Sequence, residues 1–231
     1  MNTSVVILSR TEKNAHACIA ALRDCEPEIP VVLVWDCSRG NGKAPWMTLY
    51  NCQIVNHDDT FCFARNANIG IQAAMKAGAL HVVLLNDDAL LRTPLGFQGL
   101  EDQWNQNQEY GVIAASTNVV GNPNQRCRNI GLREDPRIVC FICVFIPDRT
   151  LLEVGMMDEE FTGYGFEDDS YCLRVRRAGY KIGIWDGCFA DHDPNSTGLH
   201  STFRTGPNTA DLFHQNREVF ERKYGAKNHE L

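Results

Sequence analysis

The hydrophobic pattern of the chain switches repeatedly between two periods. Short unbroken apolar runs at 4–8, 31–35 and 82–85 have the length and composition of strands covered on both faces. Between them, residues 12–25 carry Ala15, Cys18, Ile19 and Leu22 at helical spacing behind Thr11 as N-cap. A second helix is expected from Ala64 to about Ala79, with Gly78 suited to its C-cap. Pro27 and Pro30 break the chain before the second strand, and 52–55 reads as a third. Strand, helix and strand joined by short polar turns predict right-handed βαβ units.

After residue 91 the rhythm loosens. The pattern predicts a helix over 95–107, a strand over 111–115 and, past an Asn-, Pro-, Gly- and Arg-rich stretch at 116–137, a central strand over 138–146. A short helix from Pro147 to Val154, a loop over 155–166, a helix from Glu167 to Ala178-Gly179, a last strand at 180–185 and a closing helix at 208–224 follow. Residues 191–209 have few apolar anchors and are expected to form a mobile loop over a site. The whole predicts one α/β domain over 1–231, a mostly parallel Rossmann-like sheet flanked by helices with a ligand crevice along its carboxyl edge.

Composition changes this picture little. The chain has 231 residues, 44% hydrophobic and 22% charged, enough for a real core. A net charge of -7 argues against a nucleic-acid partner, which would call for a basic face. The first residues enter a strand without a charged leader, and no run of about eighteen apolar residues is present. The expectation is a cytoplasmic protein, at most peripheral to a membrane. Ten cysteines are scattered through the expected strands and helices with no Cys-x-x-Cys pair whose surroundings suit a metal; Cys140 and Cys143 sit among bulky apolar residues and read as buried thiols.

Four polar clusters fall at strand or helix ends: Asp36, Asn86-Asp87-Asp88, Glu167-Asp168-Asp169 and Asp191-His192. Each alone is equally an ordinary turn or a helix start favoured by the dipole. Asp168, Cys172 and Val175 share one helix face, however, so packing of that face aims the Asp168 carboxylate over the strand ends as a candidate general base. Asp88 and His192 suit Mg2+ or Mn2+, with phosphate oxygens and water completing the shell. Arg65, at a helix start, is placed to meet a diphosphate or a base. Walker, dinucleotide-binding and nucleophile-elbow motifs are all missing.

The order of these clusters resembles that of GT-A fold glycosyltransferases, in particular the family-2 inverting enzymes of the rhamnosyltransferase-like branch. The matching stretches are 31–38, Ala-Arg-Asn-Ala-Asn-Ile-Gly at 64–70, Val-Leu-Leu-Asn-Asp-Asp-Ala at 83–89, 161–180 with its Gly-Phe-Glu-Asp-Asp and Arg-rich helix, and 216–224. The resemblance implies a single glycosyltransferase domain, with 1–115 binding the nucleotide and 116–231 the acceptor. It implies Asp168 as catalytic base, Asp88 and His192 as ligands of Mn2+ or Mg2+, and Asp36 at the nucleotide base. Ser9, Arg10, Arg65, Asn86, Asp87 and Glu167 complete the substrate-binding set. Two positions depart from the family pattern: Asn86 replaces the first acid of Asp-x-Asp, and Ser170 stands where many relatives carry another Asp.

The implied activity is inverting transfer of a sugar from a UDP-, dTDP- or GDP-sugar to a hydroxyl of a glycan, lipid-linked or protein-linked acceptor. A sugar nucleotidyltransferase and a nucleotide-sugar-binding domain without turnover are the alternatives. Against the first, Ser9-Arg10-Thr11-Glu12 lacks the glycines of a phosphate-cradling loop.

Overall fold

The computed structural model describes residues 2–38, 51–201 and 209–225. Its first half follows the expected alternation: β1 (Thr3–Ser9), α1 (Glu12–Cys25), β2 (Val31–Asp36), β3 (Gln53–His57), α2 (Phe63–Lys76) and β4 (His81–Asn86). These four strands are mutually parallel in the order β3-β2-β1-β4. Then come β5 (Leu90–Leu91), α3 (Gly96–Gln106), β6 (Tyr110–Thr117), β7 (Leu132–Asp135), β8 (Cys143–Ile146), α4 (Asp148–Glu153), α5 (Glu167–Arg177), β9 (Lys181–Asp191), α6 (Pro194–Thr197) and α7 (Thr209–Tyr224).

The sheet continues β4-β8-β6-β9-β5, with β7 also on β9, making nine strands among the described residues. Here the parallel expectation gives way to a mixed sheet. β8 enters antiparallel between β4 and β6, and β9 runs parallel to β6 but antiparallel to β5 and β7. None of these antiparallel neighbours is joined by a tight hairpin: β5, α3, β6 and β7 lie between β4 and β8, and β8, α4 and α5 between β7 and β9.

Alternation along the strands sorts side chains onto two faces. Val5, Ile7, Leu33, Trp35, Val83 and Leu85 pack beneath α1 and α3, through Cys18, Ile19, Leu22, Phe97 and Leu100. Val6, Leu8, Val32, Val34 and Leu84 face α2 and α5, through Ala67, Ile71, Tyr171, Cys172 and Val175. Phe161, Phe166, Leu173 and Phe220 form a smaller cluster that docks α7 against the loop before α5. None of the ten cysteines is in a disulfide, with Cys143 and Cys172 in the core and Cys140 half-buried.

Only the second half of the expected 138–146 strand pairs. Ile138 to Ile142 bury Val139, Phe141 and Ile142 without a ladder. Their backbone is met by a buried side chain instead: Gln125 Nε2 donates to the Cys140 carbonyl at 3.0 Å, and the Cys140 N–H donates to Gln125 Oε1 at 2.8 Å. A buried backbone must find partners somewhere: Asn122 and Asp135 meet Ile138 in the same way, and the Ile142 carbonyl accepts from the Asn86 N–H. Of the loop expected over 191–209, the first part carries α6 and residues 202–208 lie outside the described residues.

Gly70 shows how closely α2 meets the sheet. A Cβ there would lie 2.2 Å from Val6 Cγ1 and 2.9 Å from Val34 Cγ2. Overpacking of this kind costs about 1–3 kcal/mol, which outweighs the ~1 kcal/mol an alanine gains inside a helix. Gly70→Ala is therefore expected to lower the urea midpoint at an unchanged m-value; an unchanged or raised midpoint would show that α2 moves away freely.

Candidate active site

The carboxyl end of β4 is the centre of the site. Ser9 Oγ, at the end of β1, donates to Asp87 Oδ2 at 2.5 Å, which the parallel β1–β4 pairing brings alongside. Asp87 is buried, and loss of water pushes its carboxyl up to about 7 against the opposing pull of the Ser9 hydrogen bond. One strand further out, Arg10 and Asp36 form a buried pair, with Nε 3.3 Å from Oδ2. The Arg10 guanidinium lies 4.9 Å from the Phe61 ring centre, and Asp36 Oδ1 accepts from the Ser38 N–H at 2.9 Å.

Asp88 meets His192 by a route that periodicity does not reveal. Parallel strand ends were expected to gather the two; the two-residue β5 does so instead. Leu90 pairs antiparallel with Asp191, so the residues just before β5 lie beside those just after β9. β9 reaches that far because three residues, 186–188, bulge between the Ala115–Trp185 and Ser116–Phe189 pairs. Asn118, beyond the end of β6, secures the junction: its amide donates to Asp191 Oδ1 at 2.7 Å, and its Oδ1 accepts from the His192 N–H at 2.9 Å.

The result sets an imidazole beside a carboxylate, two groups of the kind that bind divalent cations. His192 Nε2 lies 3.3 Å from Asp88 Oδ1, while Nδ1 is 2.7 Å from the Val119 carbonyl. With its proton on Nδ1, donated to that carbonyl, the ring would turn the Nε2 lone pair toward the carboxylate, an arrangement that a cation between the two would satisfy; with both nitrogens protonated the same contact is an ion pair. Neighbouring positions of an octahedral shell with ligands at about 2.1 Å lie about 3 Å apart, so the spacing fits a divalent ion. The imidazole and carboxylate donors suit Mn2+ at least as well as Mg2+. Among the described residues no third His, Cys, Asp or Glu joins them, leaving the remaining positions to substrate oxygens and water.

Asn86, Asp87, Asp88 and His192 line one cleft of about 230 Å³, together with Phe63, Val119 to Gly121, Cys140 and Tyr164. A second cleft of about 400 Å³ shares Gly121, Cys140 and Tyr164 with the first and is lined by Asp168, Asp169, Arg137 and Phe213. Cys172 and Val175 are fully buried, so the shared helix face does turn Asp168 over the sheet. Asp168 Oδ1 accepts from the Asp169 N–H at 2.9 Å, and Glu167 Oε2 from the Gly165 N–H at 2.5 Å. Crowded out of water, all three acids are raised: Glu167 and Asp168 chiefly by burial, Asp169 up to about 8 by burial and the Asp168 charge.

Five expected residues line neither cleft. Arg65 is 37% exposed and held by Glu159 at 3.5 Å and Asp59 at 3.9 Å. Arg10 pairs with Asp36, Ser9 is tied to Asp87 and Glu167 to the Gly165 N–H.

No family model and no curated protein matches the chain by sequence. By structure it aligns with GalNAc-T7 solved with UDP, GalNAc and Mn2+, at a TM-score of 0.72 and 12% identity, over 96% of this chain and 48% of that one. It aligns also with S. aureus TarS, at 0.64 and 13% identity, over 99% of this chain and 44% of that one. A structure of TarS residues 1–349 aligns at 0.61 and 13%, over 97% and 72%. The fold is GT-A. The chain spans about half the length of the first two of these proteins.

Within this GT-A domain the residues missed in sequence are those that build walls and hinges: Asn118, Val119 to Gly121, Tyr164 and Phe213. Asn118 lies in an Asn- and Pro-rich stretch where an asparagine looks like any turn residue, and nothing marked it out. Asp169 carried a signal, as a third acid in a row, and the structure turns it to the same cleft as Asp168. Among the described residues no helix is long and apolar enough to cross a membrane.

Proposed function

We propose that the chain transfers a sugar from a nucleoside-diphosphate sugar to an acceptor hydroxyl with inversion at the anomeric carbon. One observation carries this reading: two clefts meet at the wall of Gly121, Cys140 and Tyr164, with Asp88 and His192 on one side and Asp168 on the other. The likeness to a protein solved with UDP, GalNAc and Mn2+ supports it.

Residues 1–115 hold the donor in this scheme, and 116–231 present the acceptor. The nucleotide is UDP, dTDP or GDP, with the base and ribose toward Arg10, Asp36 and the Ser9–Asp87 pair. Asp88 and His192 would hold Mn2+ or Mg2+, which when bound offsets the negative charge gathering on the leaving diphosphate. Asn86, at the end of β4, faces the same cleft and is placed to orient the ribose or a metal-bound water. Arg65 reaches the diphosphate only by leaving Glu159 and Asp59.

Asp168 takes the proton of the acceptor hydroxyl, whose oxygen forms a bond to the anomeric carbon as the bond from that carbon to the diphosphate oxygen breaks. Glu167, tied to the Gly165 N–H, fixes the start of α5 and with it the direction of Asp168. Because the acids are raised, Asp168 is a stronger base once ionised than an exposed carboxylate.

Incubation with labelled UDP-, dTDP- and GDP-sugars and Mn2+ tests the proposal. Release of nucleoside diphosphate from one of them, abolished by EDTA, is the expected result. Binding without release would make the chain a nucleotide-sugar-binding module, and production of pyrophosphate a nucleotidyltransferase.

A further inference from the structure

We propose that the acceptor is itself a saccharide, and that Phe213 is the platform on which its ring stacks. The inference rests on the proposed function in taking the Asp168 cleft as the acceptor site.

Phe213 is 42% exposed, whereas Phe220, two turns further along α7, is fully buried. It is nonetheless held in place. Its ring centre lies 4.8 Å from that of Phe166, at an interplanar angle of 51°. Its edge rests against Gly165, where a Cβ would come within 2.7 Å of the ring and where φ is +108°, so that glycine serves both the turn and the contact.

The backbone beneath is clamped as well. Asn216, one turn after Phe213, is buried and accepts from the Thr162 N–H at 3.1 Å. Its amide donates to the carbonyls of Thr162 and Gly165, both at 2.9 Å. One side chain thus locks α7 to the loop that carries Tyr164 and leads into Asp168. The Arg217 guanidinium also lies over the ring, 6.0 Å from its centre, so an incoming sugar shares this partly exposed, preorganised surface with it.

The chemistry around the ring selects among acceptors. A pyranose offers an apolar face of C–H bonds for an aromatic ring and a rim of hydroxyls for carboxylates, and the cleft supplies both, with Tyr164 on its wall and Asp168 and Asp169 within it. A lipid tail would need an enclosed apolar groove, which half-buried acids would spoil. The volume of about 400 Å³ falls in the ordinary range for a small polar ligand.

The test uses simple probes: methyl α- and β-D-glucopyranoside, galactopyranoside and mannopyranoside, with saturation-transfer NMR on the chain in the presence of UDP and Mn2+. At least one glycoside is expected to show transfer concentrated on its ring C–H protons. In Phe213→Ala that binding should weaken about tenfold, an aromatic contact of ordinary size, and in Phe213→Trp it should be kept. Equal binding by Phe213→Ala would overturn the inference, as would no glycoside binding to a wild-type chain saturated with whichever of UDP, dTDP and GDP it binds. Failure of the wild-type chain to bind any of the three nucleotides would instead overturn the proposed function, and the inference with it.

Discussion

Asp168→Asn is expected to lower sugar transfer by about 10²–10⁴-fold, the usual contribution of a general base, while leaving nucleotide binding unchanged. The substitution keeps the shape of the side chain and an oxygen for the Asp169 N–H, so α5 should not move. What it removes is the acceptor for the hydroxyl proton. The same group sets the pH dependence. Asp168 works only when ionised, and burial raises its pKa, so transfer should climb with pH through a window above the ordinary carboxylate range. The apparent values belong to the coupled group and not to one residue.

Stability should run the opposite way. Between the ordinary carboxylate range and those raised values the folded chain holds more protons than the unfolded one, so these acids' contribution is full at low pH and is lost as pH rises through the window. Initial rates and urea midpoints measured across pH 5–9 check both slopes. Near-normal turnover by Asp168→Asn would assign the base elsewhere, with Asp169→Asn as the comparison that finds it.

Asp88→Ala should abolish the Mn2+-dependent part of nucleotide affinity, and His192→Ala should weaken it strongly. Loss of an outer-shell partner alone commonly costs about 10–100-fold in metal affinity or activity, and under the proposed function each variant removes one of two direct protein ligands. Elsewhere such a loss is shared among more protein donors; with Asn86 in place of an acid, little remains to compensate. In EDTA the wild type and both variants should bind nucleotide equally weakly, because the difference lies in the cation. Calorimetric titration with UDP, with and without Mn2+, separates these cases. Equal Mn2+ enhancement in Asp88→Ala would remove this pair from the donor site.

Much of the fold was readable because burial on both faces writes itself into sequence as continuous apolar runs: β1, β2 and β4 stand where the runs at 4–8, 31–35 and 82–85 place them. α1 matches its periodic segment from Glu12 to Cys25. β5 and β7 carried no such signal. They are two and four residues long, and pairing with β9 holds them in place, not their own pattern. The 138–146 run shows the opposite failure: the apolar pattern is real, but along its first half the side chains of Asn122, Gln125 and Asp135 meet the backbone in place of a strand neighbour.

The site divides similarly. Residue types pointed to Asp88, His192 and Asp168, and the structure places the first two against each other and the third in the adjoining cleft. Arg65 was placed by its helix start and by the motif at 64–70; its side chain pairs with Glu159 and with Asp59, the latter six residues earlier. Phe213 lay unnoticed because an aromatic residue on a helix normally reads as core, and only its exposure beside the acids distinguishes it.

The most direct test of the donor site is the anomalous signal of Mn2+ in crystals of the chain grown with UDP. A peak between Asp88 and His192, in contact with the diphosphate, is the predicted result. UDP bound elsewhere, or bound in this cleft with no Mn2+ at that pair, would contradict it.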